Sequence, residues 1–251
     1  MLVYWDVMKE TQRTDMITIT MLYNNISFDP NLTTGWGLAC LIEGLEKTIL
    51  LDTGDNGQIL LSNMDKLKKD PAAVDILVLS HAHGDHTGGL TDFLGAAGSV
   101  TLWVPESFPD DFKKGVVEAA YELISVDKAA EITNGLWTTG QMGTLIKEQA
   151  LVLSTPKGLA VITGCAHPGI VNMVEKAKQI CSDEIYLALG GFHLMRDSSD
   201  RVEHVIDELK NLGVKKNAPS HCTGKRPVDM FRQAWKEDFM DFGCGATVFI
   251  E

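Results

Sequence analysis

Ser80-His81-Ala82-His83-Gly84-Asp85-His86-Thr87-Gly88-Gly89-Leu90 gathers three of the chain's seven histidines and one aspartate into six consecutive residues. The run before it, Asp75 to Ser80 (DILVLS), is apolar and predicts a strand buried on both faces. The cluster therefore sits where a buried strand gives way to a loop, the position at which open α/β sheets collect ligands. Histidine nitrogen and aspartate oxygen are ligands of zinc, iron and manganese. The spacing His81-x-His83-x-Asp85-His86 is too crowded for one ion, because neighbouring side chains in a tight loop diverge. It predicts two neighbouring ions, an arrangement that clamps a water, lowers its pKa and stabilises charge on a departing oxygen.

Upstream, Ile17 to Tyr23, Trp36 to Gly44 and Lys47 to Asp52 read as successive strands. A helix follows from Gly57, then the DILVLS strand, a short helix at Leu90 to Leu94 and a strand VTLWV. The middle is strand-rich again, with ELISV, AEITNGLWTTG and QALVLS. The second half alternates: strand GLAVITG, helix Pro168 to Cys181, strand EIYLALG, helix Asp200 to Asn211, a strand before Ser220, helix Pro227 to Lys236 and strand ATVFI. Asp200 and Glu203 have the spacing of a capping box. Two strand-rich stretches, each followed by helices, predict an α+β fold of four layers, α/β/β/α. No linker, repeat or low-complexity tract divides the chain, so one domain over residues 1–251 is expected.

The net charge of −12 argues against a nucleic-acid partner, which would need an excess of Lys and Arg. No apolar run approaches the ~20 residues that span a bilayer, so no membrane partner is expected. Asp6, Lys9 and Glu10 interrupt the N-terminus where a signal peptide needs apolar residues. Five cysteines without a CxxC pair fit a reducing compartment; together these features predict a cytoplasmic protein.

With its HxHxDH run intact, the chain resembles the metallo-β-lactamase superfamily, and further landmarks follow in order. LLDTG (Leu50 to Gly54), TGCAH (Thr163 to His167) and PSHCTG (Pro219 to Gly224) resemble the first, third and fifth. The resemblance implies that Asp52 braces the metal loop without binding metal. It implies that His167 joins His81 and His83 on one ion, and that His221 joins Asp85 and His86 on the other. At the fourth landmark the family usually places a bridging aspartate, whereas GGFHL offers His193. An imidazole has one lone pair to give, so His193 binds a single ion or serves as acid/base or substrate contact. Asp197, four residues on, is a weaker substitute. With Asp85 as the one ligand carboxylate, two divalent ions leave the site about three charges positive, which favours anionic substrates.

GGFHL, GCAH and SHCTG together resemble a branch that includes proteins named 7,8-dihydropterin-6-methyl-4-(β-D-ribofuranosyl)aminobenzene-5′-phosphate synthases. The resemblance implies two divalent ions, zinc first with manganese or iron as alternatives. A two-metal site of this charge predicts a metal-dependent hydrolase that acts on a small anionic, phosphate-containing ester through metal-activated water. Asp85 and His193 are the candidate catalytic residues. The alternatives are a synthase acting on a phosphorylated pterin precursor, a mononuclear-iron oxygenase and a non-catalytic metal-binding protein. Lys225 and Arg226, before a helix opened by Pro227, are candidate phosphate contacts. Cys165 and Cys222 flank predicted ligands but read first as small buried hydrophobes. Trp36 and Trp103 are candidates for a pocket wall or the core, and His204 reads as surface. The loops at about 24–34 and 106–121 are expected to decide the substrate, and association between copies is left open.

Overall fold

A computed structural model describes residues 16–117 and 120–251. The N-terminal MLVYWDVMKE segment lies outside the described residues. The first sheet contains β1 (Ile17–Asn24), β2 (Leu38–Glu43), β3 (Ile49–Leu51), β4 (Ile76–Val78), β5 (Thr101–Pro105), β6 (Glu122–Val126) and the last strand, β13 (Thr247–Ile250). Its spatial order is β13-β1-β2-β3-β4-β5-β6, antiparallel as far as β3 and parallel from β3 to β6. The second contains β7 (Lys128–Thr133), β8 (Leu136–Gly140), β9 (Leu151–Thr155), β10 (Gly158–Thr163), β11 (Ile185–Gly191) and β12 (Lys216–Ser220). Here β10, β11 and β12 run parallel, and β7 to β10 are antiparallel neighbours.

Three apolar layers hold this arrangement together. Alternate residues of each strand point to opposite faces, so a strand buried on both sides must be apolar throughout. Val78 of β4 packs between the sheets with Leu38, Leu51, Leu151, Ile162 and Leu189. Its neighbours Leu77 and Leu79 face the other way, onto α1 (Gly57–Lys66) and α3 (Leu90–Ala97) through Leu60, Met64, Phe93 and Leu94. On the far side, Val161 and Ala188 meet α5 (Ile170–Cys181), α6 (Ser199–Asn211) and α7 (Lys225–Trp235) through Val174, Val205, Leu209 and Phe231. The result is the expected four-layer α/β/β/α sandwich. Leu189 is fully buried in the middle layer. Leu189→Ala should therefore lower unfolding stability by about 3 kcal/mol, read from a denaturant midpoint.

Several local expectations change. AEITNGLWTTG is a hairpin, not one strand: β7 and β8 meet at Asn134-Gly135, with Gly135 left-handed at φ +80°. Ser198, not Asp200, caps α6, its Oγ accepting from Arg201 N at 3.2 Å. The helix opens earlier because Ser198 holds the extended backbone a cap requires. Helix α7 starts at Lys225, two residues before Pro227, whose missing N–H falls among the unpaired donors of a helix's first turn. Residues 110–117 of the presumed substrate loop form α4 (Asp110–Val117). Phe108 and Val116 pack into the outer core of the first sheet. Residues 118–119 lie outside the described residues. No helix among the described residues is long and apolar enough to cross a membrane.

Candidate metal centre

The carboxyl ends of β3 and β4 in one sheet, and of β10, β11 and β12 in the other, converge at one edge of the sandwich. β4 ends at Val78, and the chain reaches Ser80 and His81 before α2 (Gly84–Thr87), a single turn that presents Asp85 and His86. Asp52, immediately after β3, is fully buried behind this loop. Its Oδ1 accepts from Ser80 N at 2.7 Å. Its Oδ2 accepts from Ser80 Oγ and faces His86 Nδ1, both at 2.7 Å. Since Ser80 Oγ donates to Asp52, it accepts from His81 Nδ1, 2.9 Å away. His221 Nδ1 lies 2.8 Å from Asn25 Oδ1. In all three rings an oxygen faces Nδ1, which orients the ring and leaves Nε2 as the atom available to a metal.

From the second sheet, the TGCAH loop follows β10, with His167 half-buried. Fully buried Glu148 holds this loop, accepting from the N–H groups of Cys165, Ala166 and His167, each at 2.8 Å. His193 follows β11 and His221 follows β12. Asp52, Ala166, His193 and His221 all have positive φ, between 51° and 60°. Such backbone strain gathers where a site must be preorganised.

Three groups of potential ligands form among the described residues, with ligand atoms within 4.8 Å of one another: His81, Cys165 and His167; Asp85, His86, Cys165 and His221; Cys165, His193 and Cys222. His83 joins the first through its Nδ1, 3.0 Å from His81 Nε2. Its ring centroid is 4.8 Å from that of His167. The six histidine and aspartate residues whose ligation the family resemblance implied thus converge. His193 instead stands exposed beside the cysteines, its ring centroid 4.2 Å from that of His167.

A metal fits this donor set. The Nε2 atoms of His167 and His221 are buried without a hydrogen-bond partner, an arrangement that costs free energy unless something else takes their lone pairs. Burial and the neighbouring imidazoles hold His81 far below the usual histidine range. Burial, then His193, lowers His167 to about 4. Burial works against ionisation of Asp85, but the facing His221 and His86 outweigh it and bring its pKa to about 2. For His86 burial is outweighed by Asp52, which lifts it to about 9. His81 and His167 are therefore poised as neutral nitrogen donors and Asp85 as an anion, both suited to a divalent cation.

The remaining candidates divide. Trp36 is half exposed and tilts against His221, ring centroids 5.0 Å apart, whereas Trp103 is buried between the sheets. Trp36, His193, Met195, Arg196, Asp197 and Cys222 line a cavity of about 420 Å³, of a size to hold a small ligand. Lys225 lines a neighbouring cavity with His221 but pairs with Asp229 at 2.6 Å. Arg226 binds Asp197 O and Ser199 Oγ and lines neither cavity. Exposed His204 faces Glu208. Asn25, in the loop at 24–34, lies beside His221 and lines the neighbouring cavity. Sequence reasoning missed Glu148, Asn25 and Arg196. Glu148 carried no signal, since a glutamate in an irregular stretch between strands looks solvated.

The sequence profile of the Metallo-beta-lactamase superfamily matches residues 35–172, more than half of the chain. A Methanocaldococcus jannaschii protein named 7,8-dihydropterin-6-methyl-4-(beta-D-ribofuranosyl)-aminobenzene-5′-phosphate synthase is 31% identical over 262 aligned residues. The alignment covers 84% of this chain and 89% of that protein. Among solved structures, Tm1679, a metal-dependent hydrolase of the beta-lactamase superfamily, superimposes with a TM-score of 0.80 at 25% identity. That superposition covers 92% of this chain and 98% of the other. The short form of human tRNase Z shares the fold, with a TM-score of 0.64, 13% identity and coverage of 93% and 99%.

Proposed function

The chain belongs to the metallo-beta-lactamase superfamily, and on that premise we propose that it is a metal-dependent hydrolase of a small, anionic, phosphate-containing ester. Two divalent ions, zinc foremost, would be held by His81, His83 and His167 and by Asp85, His86 and His221; when bound they supply Lewis acidity and an activated water. The observation that carries the reading is the pair of buried, unpartnered Nε2 atoms, one in each ligand group. Beside them lies a cavity on which Arg196 opens. Asp85 is the one carboxylate in the ligand groups found among the described residues, which favours an anion at the loaded site.

The protein's own groups then have distinct tasks. Arg196, with Lys225 at the neighbouring cavity, binds the phosphate oxygens. Trp36 and Met195 wall the organic part of the substrate. His193 holds a proton at the cavity and gives it to the departing oxygen. The acidic surface fits a small substrate better than a nucleic acid, and the free thiols fit the cytoplasm.

Contact with Cys222 raises the His193 pKa above the ordinary imidazole value, although burial opposes it. A general acid works while protonated, so kcat should be highest below that elevated value and fall as pH rises past it. His193→Gln should lower kcat by roughly 10²–10⁴-fold and abolish the alkaline limb of the pH profile. A limb that survives belongs to another group.

The direct test is a panel of phosphomonoesters, cyclic phosphodiesters, carboxylic esters and lactones, offered to metal-loaded and metal-stripped protein. Metal-dependent turnover concentrated on the phosphate esters is expected. Turnover of lactones or carboxylic esters alone would sink the reading. A second reading, a synthase acting on a phosphorylated pterin precursor, is favoured by the name of the Methanocaldococcus jannaschii relative. It predicts a product from a phosphorylated dihydropterin precursor with the phosphate retained.

A further inference from the structure

The two ligand groups share one atom. Cys165 Sγ lies within 4.8 Å of the ligand atoms of His81 and His167, and equally of those of Asp85, His86 and His221. It is 3.2 Å from His86 Nε2. Each imidazole there has a single free lone pair and can serve one ion. The Asp85 carboxylate belongs to one group only. A thiolate sulfur is soft, suits zinc, and keeps several lone pairs for more than one metal.

The chain around this sulfur is built to hold it still. Glu148 fixes the backbone of Cys165 and of the next two residues. Before it, Gly164 lies so close to the first sheet's loop that a Cβ there would stand 2.1 Å from Ser80 Oγ and 2.8 Å from Asp52 Oδ2. Behind it, a Cβ on Gly191 would come within 2.4 Å of Gly164 O and 3.1 Å of Cys165 Cα. Two glycines thus let the loops of both sheets close around Cys165. Independently, the unpartnered Nε2 atoms of His167 and His221 lie one in each of the groups that Cys165 joins. His221 is only 1% exposed, so water is a poor substitute partner.

We infer that Cys165 is a metal ligand common to both sites, its thiolate bridging the two ions where the GGFHL segment supplies no carboxylate bridge. The inference rests on the two-ion reading proposed above. The thiol proton passes to solvent as the sulfur–metal bonds form. With Asp85 and Cys165 both anionic, the loaded site carries about two positive charges rather than three. It still favours an anionic substrate, and it holds the second ion more firmly than the imidazoles alone would.

Cobalt(II) replacement tests this without a substrate. Wild-type protein should take up two cobalt ions per chain and show intense near-ultraviolet sulfur-to-cobalt charge transfer, with magnetic coupling between the ions. The band should persist in Cys222→Ser and vanish in Cys165→Ser. Cys165→Asp, which restores an atom group able to bridge, should keep two ions and lose the band. Cys165→Ala should weaken the second ion by at least about tenfold. Absence of charge transfer in the loaded wild-type protein, or its survival in Cys165→Ser, would overturn the inference. So would unchanged affinity in Cys165→Ala. Should the Cys165 variants fail to fold, the comparison with Cys222→Ser still decides: a band in both proteins supports the bridge, and one lost with Cys222 removes it. Two cobalt ions with the band but no ester turnover would defeat the hydrolase reading and leave the bridge standing. A single ion per wild-type chain would defeat both.

Discussion

On the proposed two-ion site, Asp85→Asn is expected to reduce metal content by one ion per chain and to lower kcat/KM by more than about 100-fold. Asp85 is the carboxylate facing two buried imidazoles, with Oδ2 3.6 Å from His86 Nε2 and 3.4 Å from His221 Nε2. Its pKa of about 2 keeps it anionic at neutral pH. The amide preserves its size but removes the charge and one of two acceptor atoms. Changes to the outer partners of metal ligands already cost 10–100-fold, which sets about 100-fold as the lower bound for losing a ligand. Elemental mass spectrometry on protein purified without added metal, paired with steady-state kinetics, checks both halves. Two ions retained with activity unchanged would remove Asp85 from the ligand set.

Asp52 separates two effects that are usually confounded. Asp52→Ala deletes the acceptor for Ser80 N, Ser80 Oγ and His86 Nδ1 in a fully buried place. Removing one partner of a buried charged pair costs about 3–5 kcal/mol. Alanine also tolerates the backbone at φ +59° poorly, adding about 1–2 kcal/mol. This variant should unfold at a much lower denaturant midpoint. Asp52→Asn, by contrast, fits the left-handed backbone and fills the same volume. Its amide NH2 either opposes Ser80 N–H or forces His86 Nδ1 to accept, which moves the imidazole proton onto Nε2 and blocks the metal. Asp52→Asn should therefore fold with a modest loss and weaken the His86-side ion by about 10–100-fold. Equal loss of stability in the two variants would make Asp52 a packing residue and nothing more.

Most of the sandwich was legible because burial on two faces leaves a simple trace. The stretches Ile76 to Leu79, Leu159 to Ile162 and Leu187 to Leu189 can be apolar at every position only if apolar layers lie on both sides, as Leu77 and Val78 show by facing different cores. Turns and helix starts were less legible, since a single backbone angle decides them. Asn134-Gly135 looks like part of a strand until Gly135 turns left-handed, and Ser198 caps α6 in preference to Asp200 because of where the chain emerges from the preceding loop. Half of the loop expected at 106–121 is a helix, with Phe108 and Val116 in the core outside the first sheet.

The sequence by itself determined which potential metal-binding side chains are present and their order along the chain. HxHxDH and TGCAH each place potential metal-binding atoms at the end of an apolar run, where a buried strand gives way to a loop, whereas PSHCTG follows a strand of mixed composition. Tertiary structure alone decided which atoms face one another. Cys165 reads as a small hydrophobe beside a histidine, and only the closure of two sheets sets its sulfur between both ligand groups. Glu148 lies 17 residues from Cys165 along the chain yet holds its backbone. Asn25 orients His221 from 196 residues away. Local pattern records which side chains a strand must bury. Contacts between loops of separate sheets depend on how those sheets pack, and that information is spread over the whole core.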